Sequence, residues 1–267
     1  KTHREQIKLV KDFSWIDLKA LDGMKEEIEE ILSQSPYISR ERRAVLCHAF
    51  CQRAELLGEI ANEHTIKEDI SQENDMILDQ FAGGGTTLVE AKLLNRDIIG
   101  VDCNDIALER CEEKTNFEYE KAKGKVYIRK GDARNLDFVD DESIDLICTH
   151  PPYANIIKYS DGLEDDLSQL KVKDFLEQMK PVAQECYRVL KKGKFCAILM
   201  GDTRQKGHMI PMSFEVMKIF QNAGFTLKEL IIKEQHNCRA TGYWKTNSVK
   251  YNFLLISYKY LFMFRKN

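Results

Sequence analysis

The chain has 267 residues, 43% hydrophobic and 31% charged, with a net charge of −3 and a pI near 6.1. That is enough apolar material for one large core with an appended helical region, while no apolar run approaches the roughly 20 residues that span a bilayer and no secretory signal is visible, so a cytoplasmic, membrane-free protein is expected. Its eight cysteines include no C-x-x-C pair, Cys47 and Cys51 being the closest two, which favours reduced buried thiols over a disulfide framework or a metal centre.

Residues 1–72 read as a helical region. From Met24 to Leu32 the apolar Met24, Ile28, Ile31 and Leu32 share one face, and Ser35-Pro36-Tyr37 breaks the helix. A second helix follows from about Ser39 through Leu46, Phe50 and Leu57, with Arg40, Arg42 and Arg43 at its start.

From residue 73 to 267 strands alternate with helices, the signature of a doubly wound, mostly parallel α/β sheet with right-handed crossovers. Met76 to Asp79 reads as a short buried strand, followed by Gln80-Phe81-Ala82-Gly83-Gly84-Gly85-Thr86-Thr87 and a helix from Leu88 to about Asn95. Consecutive glycines permit positive φ and a close approach to a ligand, and the helix N-terminus offers unpaired amides to an anion. Asp97 to Asp102 is a second strand, ending in a carboxylate roughly 20 residues beyond the glycines, the placement that binds ribose hydroxyls in nucleotide folds. A third strand, Lys125 to Arg129, runs into Gly131-Asp132-Ala133, where a carboxylate can accept from an adenine amino group.

The fourth apolar run, Ile144 to Cys148, leads into Thr149-His150-Pro151-Pro152-Tyr153. Two prolines stop sheet pairing and leave the preceding carbonyls without ladder partners. Tyr153 adds a flat π face, so a planar ring laid on it would aim an exocyclic amino group at those acceptors. The segment from Asn155 to Gly162 is expected to be mobile over the site. Phe175 to Leu190 reads as a helix kinked or restarted at Pro181, Lys194 to Met200 as the fifth strand, and Gly201-Asp202-Thr203-Arg204 as a further loop on the ligand side. Thr226 to Ile232 and Tyr251 to Tyr258 complete the sheet. Between Lys233 and Asn267 seven cations face Glu234 as the only acid, and Gln235 to Arg239 with Gly242 to Lys245 mix amides, cations and aromatics. Such a stretch is either a base-contacting surface or a polar hairpin.

These residues resemble the S-adenosylmethionine-dependent nucleic-acid amino-methyltransferases, in particular the N4-cytosine and N6-adenine DNA methylases. Phe81-Ala82-Gly83-Gly84-Gly85 is similar to the family's F-x-G-x-G cofactor motif and His150-Pro151-Pro152-Tyr153 to its (D/N/S)-P-P-(Y/F/W) catalytic motif. The resemblance implies a Rossmann-like sheet of seven strands whose last strand is antiparallel. It implies S-adenosyl-L-methionine held by Asp79, Phe81, Ala82, Gly83, Gly85, Thr86, Asp102, Asp132 and Ala133, and catalysis by His150, Pro151, Pro152 and Tyr153. DNA is the partner it implies, in a restriction-modification setting, with a homodimer among the expectations. RNA is the alternative, since tRNA guanosine N2-methyltransferases carry a related motif pair; a binding module with a degenerate site is another.

Two positions depart from the pattern: Gln80 stands where proline is frequent, and His150 replaces Asp, Asn or Ser. An exocyclic amine is a poor nucleophile until its protons are accepted by the enzyme. The Pro151 carbonyl can accept one. Neutral imidazole at 150 can accept the other and imidazolium cannot, so activity is expected to need neutral His150, whose unperturbed pKa is about 6.5. Thr149 leans slightly toward the cytosine-N4 pattern.

Overall fold

The apolar runs ending in acidic, glycine or proline residues are strands: β1 (Met76–Asp79), β2 (Asp97–Asp102), β3 (Val126–Lys130), β4 (Ile144–Thr149) and β5 (Leu190–Met200). A small hairpin of β6 (Thr203–Gln205) and β7 (His208–Ile210) follows, then β8 (Thr226–Glu234) and β9 (Tyr258–Arg265). Five helices alternate with them: α1 (Thr86–Leu93), α2 (Asp105–Thr115), α3 (Val172–Val189), α4 (Met212–Asn222) and α5 (Thr241–Lys250). This computed structural model describes residues 70–119, 122–154, 163, 165–205, 207–234 and 241–267, within a compact unit that spans Ile70–Asn267. The helices expected before residue 70, with Arg40, Arg42, Arg43, Cys47 and Cys51, lie outside the described residues, as do 155–162 and 235–240.

Seven strands form one sheet in the order β3-β2-β1-β4-β5-β9-β8. β1 to β5 pair in parallel. β9 is antiparallel to both β5 and β8. The fold is thus α/β and Rossmann-like, and the strand order reverses between β1 and β4. Open α/β sheets place their ligand crevice at the carboxyl ends of the strands around such a switch.

Two expectations are corrected. The antiparallel last strand is Tyr258–Arg265, not Tyr251 to Tyr258. Interior strands of a sheet with helices over both faces read as continuous apolar runs, which describes Leu261, Phe262, Met263 and Phe264, all buried, whereas Tyr251 and Leu254 are exposed. The second concerns α3, which runs as a single helix across Pro181 and is not restarted there. Its Phe175 and Met179 before the proline and Val182, Ala183, Cys186 and Val189 after it are all buried in the same core, and that packing offsets the backbone bond which proline forfeits. Phe220 of α4 stacks on Phe264 with centroids 5.4 Å apart, closing the core beneath β9. Among the described residues no helix is long and apolar enough to cross a membrane.

The sheet is also tied at the end remote from the switch. Asp145, at the start of β4, accepts from the Met76 amide at 3.1 Å and from Lys191 at 2.8 Å, with Lys194 at 3.4 Å. Burial works against its charge, but the Lys191 bond, the Met76 amide and the two lysine charges win and hold the carboxyl below its ordinary 3.8. A depressed carboxyl contributes stability that is present above its unfolded pKa and is lost as pH falls through the folded one. Asp145→Asn is therefore expected to cost about 1 kcal/mol in urea unfolding at pH 7, the lysines being partly solvated. The difference from wild type should shrink as the pH drops below about 4.

Candidate active site

The turn after β1 is shaped by backbone that only glycine adopts without strain: Gly83 has φ 52° and Gly85 φ 74°. A Cβ on Gly85 would lie 3.0 Å from the Cα of Cys111, so this glycine also lets α1 approach α2. The Ala82 amide donates to the Val101 carbonyl at 3.0 Å, and the Gly83 amide to the Asp102 carboxylate at 2.8 Å. The other Asp102 oxygen accepts from the Asn104 amide at 2.9 Å. Asp102 thus stands against the glycine turn, as its spacing suggested. Burial raises its carboxyl above the ordinary value, with the Asn104 and Gly83 amides pulling it back down and the neighbouring Asp166 adding to the rise. The thiol of Cys103, next in sequence, is pushed up to about 12 by burial and by the carboxylates of Asp102 and Asp166, so it stays protonated near neutrality.

At the end of β3 the Asp132 carboxylate accepts from the backbone amide and Nε of Arg134, each at 2.9 Å. The same guanidinium reaches Asp165 at 2.6 Å and Gln178 on α3 at 2.7 Å. Ala133 is buried beside it. The Gly131 amide donates to the Asp102 carbonyl at 3.1 Å, which brings the ends of β2 and β3 level.

The His150-Pro151-Pro152-Tyr153 segment is joined to this end through β4. Thr149 Oγ1 donates to Asp79 Oδ1 at 2.8 Å in a buried contact, and the same oxygen accepts from the Phe81 amide at 3.1 Å. Asp79 and Thr149 therefore clasp β1 to β4 at the switch point. Thr149 thus has a structural role in this clasp. Beyond it, His150 Nε2 lies 2.7 Å from the Tyr153 hydroxyl, the two rings meeting edge-on with centroids 5.3 Å apart.

Sequence reasoning missed two residues here. Lys259 of β9 puts its ammonium 3.4 Å from His150 Nε2 and 5.2 Å from the Tyr153 ring centroid. With Nε2 unprotonated, this one ring nitrogen can accept from the ammonium or from the Tyr153 hydroxyl. Gly201, just after β5, leaves the room that Tyr153 occupies: a Cβ there would sit 3.1 Å from the phenol ring and its hydroxyl. The signal for Lys259 was present as a cation in an acid-poor tail, but the misplaced last strand hid its position. Of the residues expected to form the site, Asp79, Phe81, Ala82, Gly83, Gly85, Thr86 and Asp102 surround one turn. Asp132 and Ala133 end the neighbouring strand, and His150, Pro151, Pro152 and Tyr153 extend from the strand on the other side of β1.

The DNA methylase family model, that of the N6 and N4 type, matches residues 20–113 and 144–267, leaving out the stretch that holds Asp132 and Ala133. The Type II methyltransferase M.MjaI of Methanocaldococcus jannaschii is 24% identical over 163 residues, 51% of this chain and 54% of that protein. M.MjaVI of the same organism is 32% identical over 114 residues, 42% of this chain and 56% of that one. The chain spans about half the length of these curated relatives. Among solved structures, a SAM-dependent methyltransferase of Methanosarcina mazei shares the fold, with a TM-score of 0.53 at 17% identity, covering 76% of this chain and 98% of that one. A family match that runs through both the glycine turn and the Pro-Pro-Tyr strand end, on a methyltransferase fold, makes this chain a member of the DNA methylase family.

Proposed function

We propose that this protein methylates an exocyclic amino group of a DNA base, cytosine N4 or adenine N6. The observation that carries the reading is the Thr149–Asp79 clasp, which fixes the Pro-Pro-Tyr strand end beside the glycine turn. S-adenosylmethionine is the methyl donor, and its sulfonium supplies an electrophilic methyl group. The residues fit it. Gly83 and Gly85 hold the turn open with positive φ, and Asp102, bonded by the Gly83, Asn104 and Cys103 amides, keeps capacity among its roughly four acceptor positions for a ribose hydroxyl. Asp79, Phe81, Ala82 and Thr86 would line the same turn, with Asp132 and Ala133 at the adenine side.

On the substrate side, Tyr153 offers its ring face to a base taken out of the duplex stack. The Pro151 carbonyl accepts one amine proton. His150 Nε2 accepts the other, the amine exchanging with the Tyr153 hydroxyl that occupies this nitrogen now. Both bonds draw the nitrogen lone pair out of the ring and toward the methyl group. Lys259 lies beside the imidazole, and its charge disfavours imidazolium, the form with no acceptor.

Tritiated methyl transfer to DNA and to tRNA, followed by nucleoside identification, is expected to yield N4-methylcytosine or N6-methyladenine in DNA; label confined to N2-methylguanosine would end this reading. With transfer rate-limiting, the rate should fall on acidification as His150 protonates, and Lys259→Met should move that fall to higher pH. A flat profile from about pH 5 to 8 would remove His150 from the mechanism. Asp102→Asn is expected to weaken S-adenosylmethionine binding by about 10- to 100-fold in calorimetry, the loss of charge-assisted bonds. Because burial raises the wild-type carboxyl, cofactor affinity should start to drop on acidification at a higher pH than for an ordinary aspartate, and the asparagine variant should lack that drop.

A further inference from the structure

The connection between β8 and β9 leaves several large side chains in water. Tyr243 and Trp244 on α5 are 67% and 51% exposed, and Tyr251 and Leu254 after it 63% and 86%. Contiguous apolar groups of this size are normally covered. The place of the connection identifies the cover. β8 is antiparallel to β9 and β9 to β5, so β8 ends at the same edge as β4, and the returning chain reaches Lys259 beside His150 and Tyr153. Leu254 is five residues from Lys259, at most about 18 Å of extended chain, the rise of about five base pairs. Arg204 of β6 fastens this stretch, donating to the Leu254 carbonyl at 3.1 Å and lying 5.0 Å over the Phe253 ring.

Charge narrows the partner. Residues 235–267 contain no Asp or Glu, in a chain whose net charge is −3, and Lys245 and Lys250 are exposed on α5. We infer that α5 and the turn after it grip double-stranded DNA beside the target base, Lys245 and Lys250 meeting phosphates and the edge-on pair Tyr243 and Trp244, 5.2 Å between centroids, meeting base or sugar faces. Removing a base from the stack exposes its neighbours' faces, and aromatic side chains stack on any base. The inference rests on the DNA reading above, yet its test needs no methyl transfer.

Anisotropy of a labelled duplex of mixed sequence, titrated with the full chain at several salt concentrations, gives affinity and salt slope. Lys245→Ala with Lys250→Ala is expected to lower the slope of log K against log salt by about 1.8, at about 0.9 per phosphate lost. Trp244→Ala should weaken binding about 5- to 150-fold, the worth of one stacked base, with S-adenosylmethionine affinity and melting temperature unchanged. A wild-type slope and affinity in these variants overturns the inference even where the protein methylates DNA, as does a wild-type chain that binds no duplex. Altered slope and affinity uphold it even where the methyl group proves to go elsewhere.

Discussion

The carboxylate of Asp79 accepts from two donors that belong to opposite halves of the sheet, the Phe81 amide that opens the glycine turn and the Thr149 hydroxyl that closes β4. Buried as it is, this oxygen is costly to leave without partners and strong when satisfied, about 1.5–3 kcal/mol for a bond to a charged group. Everything the site needs hangs from it. β1 and β4 diverge beyond the switch, one chain turning toward the cofactor half and the other into two prolines, and the clasp sets how far apart the two departures start. Asp102 reaches the same turn from β2 through the Gly83 amide. Three strand ends are thereby held in one rigid frame by backbone amides and two carboxylates, which is how a reaction that depends on alignment can be served by short loops.

The parts that were legible in the sequence are those whose chemistry is local. Three glycines after a short apolar strand, an acid at the end of the next strand, and prolines where a strand should continue each announce their own backbone geometry, and the glycines do adopt positive φ at Gly83 and Gly85. What sequence could not supply was decided by neighbours far along the chain. Two apolar runs follow one another near Tyr251 and Tyr260, and periodicity cannot say which is paired; only the slot between β5 and β8 selects the second. The partners of Arg134 come from β3, from Asp165 and from α3, a convergence that no spacing announces. Lys259 was hidden for the same reason, since its distance to His150 spans 109 positions.

His150 illustrates how a departure from a motif can be absorbed. A histidine in place of a carboxylate or amide brings a group that titrates near neutrality, and β9 sets a lysine beside it. Reading the motif alone makes the substitution look like a loss; reading it with β9 makes it one half of a pair. Gly201 makes the same point from the steric side, for a tyrosine ring can only lie where the neighbouring strand end has no side chain.

The position of β9 has a bearing on how the molecule is made. β8 touches the sheet only through β9, so until Tyr258–Arg265 slides between them, β5 keeps an open edge and β8 has no strand beside it. Leu261, Phe262, Met263 and Phe264 then bury together, with Phe220 stacked beneath, in pairings of long sequence separation that are slow to form. The lysine that meets His150 arrives in that same event. A chain still waiting for its seventh strand would have its glycine turn and its Pro-Pro-Tyr segment without the Lys259 contact to His150: completing the core and completing this cluster are one step.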